Sequence, residues 1–374
     1  MSSASSSNLF QPIQVGNVKL AHRVALAPLT RFRADENHVP FDFVPEYYAQ
    51  RGSVPGTLLV TEATYIAKKA GVFPAPGIHA PGIWSKEQIE QWKKVTAAVH
   101  AKGSYIFLQL WALGRAADPE ALAKLNLPYV SASDVPLPDR PAPRPLNVDE
   151  IHEYIELYAQ AAKNAIEAGF DGVEVHGANG FLPDQFLQDV TNTRTDEYGG
   201  SIENRARFPL EVLTAVTKAI GEERTAIRLS PWERAHAMGM ADPRPTFTYI
   251  IQAIKERFPR FAYIHVTEPR VMGGADREVV PASESNDFVL ESWLPKPLVL
   301  AGGYTRELAL EVAARGNVIV AFGRHFIANP DLPRRLKEDI PLNKYNRATF
   351  YTNGTEGYID YPFADQGENG NATS

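Results

Sequence analysis

His176 and Asn179 lie three positions apart in the stretch His176-Gly-Ala-Asn-Gly180. Both side chains donate hydrogen bonds. Two donors converging on one oxygen stabilise an enolate as it forms, by about 2.7–4 kcal/mol per donor in comparable oxyanion sites. Taken alone, His176 fits a satisfied core histidine better than a substrate ligand; its pairing with Asn179 is what points to a reaction. Glu174, two residues earlier, either orients His176 or is a buried polar group in its own right. A second constellation joins Gly302-Gly303 to Gly323-Arg324. Glycines let backbone N–H groups approach a phosphate, and an arginine adds a charge-assisted contact. Glycine also ends strands for backbone reasons alone, so the joint occurrence of the two pairs carries the phosphate reading. Thr30, Gln109 and Arg228 are further polar residues in or just after apolar runs.

These residues act together only if the fold brings them to one place. Eight short apolar, β-branched runs cover residues 23–28, 57–63, 105–110, 171–177, 225–230, 263–268, 297–302 and 318–323. They are continuous rather than alternating, as in strands covered on both faces. Helical periodicity fills most of the intervals, over residues 85–102, 149–168, 201–220, 246–258 and 305–315. Strand and helix alternating in this way predict a single (β/α)8 TIM barrel. A doubly wound sheet is the rival, and no GxGxxG follows the first run. Val15-Gly16-Asn17-Val18 predicts a small N-terminal β-hairpin plugging the barrel floor. Residues 112–147 and 269–287 form long insertions after runs three and six, either lids and specificity loops or surface packing. The barrel is expected over residues 9–363, with disordered ends at 1–8 and 364–374. Barrel active sites lie at strand C-termini, and phosphate is often held after strands seven and eight. All the residues singled out fall at that end.

Composition narrows the class. Lys and Arg number 38 against 44 Asp and Glu, a net charge of −6 without a basic cluster, which disfavours nucleic acid as a partner. The absence of cysteine excludes disulfides, thiolate metal sites and a cysteine nucleophile. Lys296 precedes its run, on the wrong side for a Schiff-base aldolase, and the nine histidines are scattered, so no metal site is expected. No stretch approaches ~18 consecutive apolar residues and no signal peptide is recognisable, so no membrane association and a cytoplasmic location are expected.

More specific motifs run through the chain: Ala27-Pro-Leu-Thr-Arg31, Pro81-Gly-Ile-Trp84, Leu108-Gln-Leu-Trp111, Asp196-Glu-Tyr-Gly-Gly-Ser-Ile-Glu-Asn-Arg205 and Gly323-Arg-His-Phe-Ile-Ala-Asn-Pro-Asp331. With these the chain resembles the Old Yellow Enzyme family of FMN-dependent ene-reductases, from Leu9-Phe10-Gln11-Pro12 to Pro362. The resemblance implies FMN as cofactor and NADPH or NADH as hydride donor. It places Pro28, Leu29 and Thr30 along the isoalloxazine, and Ala63 behind it, where many relatives have Gly. Gln109 and Arg228 would bond the pyrimidine end, where a fixed cation stabilises the anionic reduced flavin. Gly302, Gly303, Gly323 and Arg324 would hold the phosphate, His176 and Asn179 the substrate's activating carbonyl, and Trp111 and Tyr351 would shape the pocket.

One position departs from the family pattern. His-x-x-Asn-Gly is usually followed by a Tyr that protonates the substrate's α-carbon, and here it is Phe181. In the ergot-alkaloid branch, which residues 31–35 and 54–59 resemble, Tyr or Phe at this position accompanies reductase or isomerase behaviour. The expectation is hydride delivery to the β-carbon of an enal or enone, with redox-neutral isomerisation favoured over net reduction, which would take its proton from water or another tyrosine such as Tyr351. Desaturation and a flavin-binding protein without activity are the alternatives. A monomer or homodimer is expected.

Overall fold

The computed structural model describes residues 7–73 and 77–366. The eight apolar runs become eight strands: β1 (Val24–Leu26), β2 (Leu58–Val60), β3 (Tyr105–Trp111), β4 (Gly172–Gly177), β5 (Thr225–Leu229), β6 (Tyr263–Thr267), β7 (Leu298–Ala301) and β8 (Val318–Phe322). Each pairs in parallel with the next, and β8 returns to β1 through Val320↔Val24, so the sheet closes. Every residue of β4, β6, β7 and β8 is buried. Helices cover the outside and mostly apolar side chains, from Ala25 and Ala226 to Phe107 and Tyr263, fill the inside, which is why these runs lack regular polar alternation.

The helices of seven or more residues are α1 (Val44–Arg51), α2 (Lys86–His100), α3 (Val148–Glu167), α4 (Ile202–Ile220), α5 (Arg244–Arg257), α6 (Asp287–Trp293), α7 (Arg306–Ala313) and α8 (Leu332–Glu338). Reciprocal caps start α2 at Ser85–Gln88 and α3 at Asn147–Glu150. Sequence periodicity did not reveal α1, α6 and α8. They have only eight, seven and seven residues, about two turns, which leaves an apolar stripe little room to repeat; α7, also eight residues, was legible nonetheless. No helix among the described residues is long and apolar enough to cross a membrane.

Ile13–Val15 and Val18–Leu20 form the antiparallel hairpin. Their apolar residues pack with Ala25, Leu58, Phe107, Ala226, Val299 and Ile319 inside the barrel, so the hairpin closes its floor. Gly16 turns there at φ +50°, and a Cβ on it would lie 1.9 Å from the Glu223 carbonyl oxygen, just before β5. Gly16→Ala is therefore expected to destabilise the fold by roughly 1–3 kcal/mol, the range for strained backbone at a fixed contact. A lower urea midpoint at unchanged m-value would register this; an unchanged midpoint would mean the plug moves freely.

The segment after β3 carries a short helix, Pro119–Lys124, and pairs Val130–Ser131 with Arg144–Pro145. The segment after β6 forms a small hairpin, Val271–Met272 with Ala275–Asp276. The proposed disordered ends fall mostly outside the described residues. Their described parts make turns: Asn8 donates to the Ala313 carbonyl at 3.3 Å, and the Ala364 N–H to Asp331 at 2.9 Å.

Candidate active site

A cavity of about 730 Å³ opens at the C-terminal end of the barrel, within the ~300–1,000 Å³ of small-molecule sites. The expected cofactor, substrate and pocket residues line it: Pro28, Leu29 and Thr30 after β1; Ala63 after β2; Gln109 and Trp111 on β3; His176, Asn179 and Phe181 from β4; Arg228 on β5; Gly302 and Gly303 after β7; Gly323 and Arg324 after β8; and Tyr351 from the C-terminal segment; Glu174 lies beneath it.

The floor of the cavity is electrostatic. Pairing sets Gln109 beside Glu174 and Arg228 beside His176. Glu174 is fully buried and accepts hydrogen bonds from Gln109 Nε2 (2.7 Å) and His265 Nδ1 (2.9 Å). It thus fixes Gln109 rather than His176. Burial works to raise the Glu174 pKa, but His265, Arg228 and Gln109 together hold it below the ordinary value. Burial, with Arg228 next, pushes His176 well below its usual pKa, so at neutral pH it is an uncharged imidazole. Four buried polar atoms on this cavity have no protein partner: Trp111 Nε1, His176 Nδ1, Arg228 Nε and Thr267 Oγ1. Buried polar groups are almost always satisfied, so four orphans on one cavity call for a polar ligand.

Above the floor, one carboxylate organises three loops. Glu233, after β5, accepts from Asn179 Nδ2 at 2.7 Å, from the N–H groups of Arg234 and Ala235 at 2.9 Å, and from the N–H of Gly273 at 2.9 Å. Asn179 itself sits at φ +57°, with its N–H on Ser230 Oγ at 2.8 Å. His236 also lines the cavity, and its Nδ1 lies 2.7 Å from the Asn179 carbonyl oxygen. The sequence reading passed over Glu233 and His236 because it stopped at the first polar residues past each strand. They lie only four and seven positions beyond the end of β5, close enough for that rule to have reached them.

Phe181 is 7% exposed. Its ring lies edge-on to Trp111 (5.0 Å between centroids) and to His176 (4.7 Å), and 5.3 Å from His236. Trp111 is stacked on its other side against Tyr65 at 4.9 Å.

At the far end, Gly302 and Gly303 take φ of +120° and +63°. A Cβ on Gly302 would come within 2.9 Å of Val271. The Arg324 guanidinium makes a two-pronged ion pair with Asp276 of the hairpin after β6, one contact at 2.7 Å. That carboxylate was not foreseen, and it competes with any phosphate for the arginine.

Tyr351, 54% exposed, stands at the rim. Its segment is held from below by the Arg31-Phe-Arg33 stretch. Arg31 Nε donates to the Phe350 carbonyl (3.1 Å) and Nη2 to that of Gly357 (2.9 Å), while Arg33 Nη1 donates to Phe350 (2.7 Å). Among the described residues, no group of three or more His, Cys, Asp or Glu is arranged to hold a metal ion.

Comparison with known proteins agrees with this geometry. Residues 8–343 match the NADH:flavin oxidoreductase / NADH oxidase family. The chain is 50% identical over 372 residues to the NADP-dependent oxidoreductase lnbE of Aspergillus flavus, covering 96% of this chain and 97% of that protein. It is 50% identical over 364 residues to the chanoclavine-I aldehyde reductase fgaOx3 of Penicillium roqueforti, covering 95% and 96%. The crystal structure of Old Yellow Enzyme from Pichia sp. AKU4542 superposes with a TM-score of 0.87 at 36% identity, covering 96% and 94%.

Proposed function

Because the chain belongs to the NADH:flavin oxidoreductase / NADH oxidase family, and is thus an FMN-dependent oxidoreductase of the Old Yellow Enzyme kind, we propose that it delivers hydride to the β-carbon of an α,β-unsaturated aldehyde or ketone. The observation that carries this reading is the set of orphaned donors on one cavity, beneath a neutral His176 and beside a clasped Asn179. A flat polar ring laid on Pro28, Leu29 and Thr30 satisfies Arg228 and the free edge of Gln109. Gly302, Gly303 and Gly323, with Arg324, take the phosphate. FMN bound there supplies the hydride, drawn from a nicotinamide, which the likeness to an NADP-dependent relative suggests is NADPH. His176 and Asn179 hold the substrate's carbonyl oxygen and stabilise the enolate. Trp111 and Phe181 pack around the alkene, and Tyr351 borders the entrance. Phe181 carries no proton, so the enolate persists, rotates and returns the hydride; isomerisation then competes with reduction. We further propose that residues 9–363 act as one unit, as a cytoplasmic monomer or homodimer on a small-molecule substrate.

The first test is the cofactor. Purified protein is expected to be yellow and to release FMN, not FAD, on denaturation. Arg324→Ala should weaken FMN retention more than it shifts the flavin's redox behaviour, and Arg228→Ala should do the reverse. The Asp276 partner should moderate the Arg324 effect, because part of that guanidinium's charge is already engaged. Colourless protein that stays colourless on titration with FMN would overturn the reading.

A further inference from the structure

Phe181 removes the usual proton source, yet the cavity contains another titratable group beside it. His236 lies against the Phe181 ring at 5.3 Å and lines the same cavity. Its position is over-determined. Nδ1 is within 2.7 Å of the Asn179 carbonyl oxygen, which can only accept, so Nδ1 carries the hydrogen. Arg115, from the segment after β3, grips the His236 carbonyl oxygen through Nη2 at 2.7 Å. The backbone is left-handed at both His236 (φ +53°) and Ala237 (φ +54°). Two consecutive non-glycine residues in that region are strained, and such strain is sustained mainly at functional sites. These restraints leave Nε2 with no protein partner among the described residues.

We propose that His236 is the proton donor to the substrate's α-carbon, delivering from Nε2 the proton that Phe181 cannot. This rests on the enal or enone reading above. The balance is simple. A hydride joins the β-carbon as the alkene π bond opens into the enolate. The Nε2–H proton then joins the α-carbon, the carbonyl re-forms, and solvent returns a proton to Nε2. Net reduction consumes one nicotinamide and one proton; isomerisation consumes neither.

The surroundings set the pH at which this operates. Burial lowers the His236 pKa most. The Asn179 carbonyl and Glu233 oppose that, Arg140 and Arg115 reinforce it, and His176 faces it from the end of β4. The net direction is below 6.5, so the protonated fraction grows as pH falls. The ratio of reduced to isomerised product should therefore rise as pH falls, level off below the His236 midpoint, and drop about tenfold per unit above it.

The test uses FMN-loaded protein, excess NADPH and an enal whose E and Z isomers are separable, in wild type and His236→Asn. Asparagine keeps an N–H for the Asn179 carbonyl but has no titrating nitrogen. The expected result is a reduced-to-isomerised ratio at least about 10²-fold lower in His236→Asn at pH 5.5, the lower bound for general acid catalysis, while isomer formation continues. The wild-type midpoint should match that of the His236 imidazole, read by NMR with labelled histidine, within about one pH unit. A ratio unchanged by the substitution, a pH-independent wild-type ratio, or a mismatched NMR midpoint overturns the proposal. Neither product from the wild type with any enal or enone would instead overturn the substrate reading itself, and this inference with it.

Discussion

Replacing His176 with Ala, or Asn179 with Ala, is expected to slow hydride addition to an enal or enone by about 10²–10³-fold, the usual cost of one oxyanion donor. Each donor is prepared for the oxyanion by its neighbours. His176 is fully buried beside the Arg228 cation, and its pKa is driven well below the usual value. On the proposed reading it would meet the developing enolate as a neutral donor, with no counter-charge to reorganise. Asn179 uses one amide hydrogen on Glu233, which fixes the plane of the side chain and leaves the second hydrogen for the ligand. Both contacts strengthen only as charge moves onto the carbonyl oxygen, so they lower the barrier rather than merely tighten binding. Reduction of the flavin by nicotinamide passes through no enolate and should suffer less. The double variant should cost less than the product of the single effects, because residues acting as a unit are non-additive. Stopped-flow measurement of the two half-reactions checks this. Wild-type rates of substrate turnover in both single variants would show that the carbonyl binds elsewhere.

The barrel was legible because its strands are buried on both faces. A run such as Val318–Phe322 has no polar position to confuse with a loop, and the long helices α2 and α3 announce themselves through apolar residues at helical spacing. The floor plug was legible for a different reason: a glycine at a tight turn between Val15 and Val18 leaves little choice of structure. The site was legible to the extent that it stands on strands. Gln109, His176 and Arg228 gain their directions from the pleat of strands whose extents the apolar runs mark in the sequence. Among residues that reach the cavity from loops, those just past a strand end, such as Thr30, Asn179, Gly302 and Arg324, were legible too, but the partners that join one loop to another were not. Glu233 clasps Asn179 and Gly273 across more than 30 positions of chain on either side, and Asp276 meets Arg324 across 48. Such pairings depend on how insertions fold back over the barrel mouth, and no local periodicity encodes that. Glu174 shows the limit from the other side. Its strand position was readable, but its partners, Gln109 and His265, come from neighbouring strands whose register only the closed sheet determines.

Phe181→Tyr is expected to raise the ratio of reduced to isomerised product by about 10²–10⁴-fold at pH 8, the range for a positioned general acid. The site is prepared for the change. The Phe181 ring is wedged between Trp111, His176 and His236, so a tyrosine in the same rotamer adds only its hydroxyl, at the wall of an open cavity. Were that hydroxyl enclosed without a partner, the variant would lose about 1–3 kcal/mol of stability, visible as a lower denaturation midpoint. The gain should depend on pH in a telling way. A phenol, with a pKa of about 10, stays protonated throughout the range in which a histidine titrates. Reduction in Phe181→Tyr should therefore be nearly flat between pH 5.5 and 8, whereas wild type depends on His236 and declines. The advantage of the variant is then smallest at low pH, where His236 is charged, and grows as pH rises. Combining Phe181→Tyr with His236→Asn should retain most of the reduction, because the phenol replaces the imidazole as proton source. A double variant that reduces no better than His236→Asn alone, with FMN bound and the fold intact, would mean that position 181 does not face the substrate's α-carbon. The isomerisation reading would then lose its basis, since it depends on Phe181 standing where a proton donor is missing.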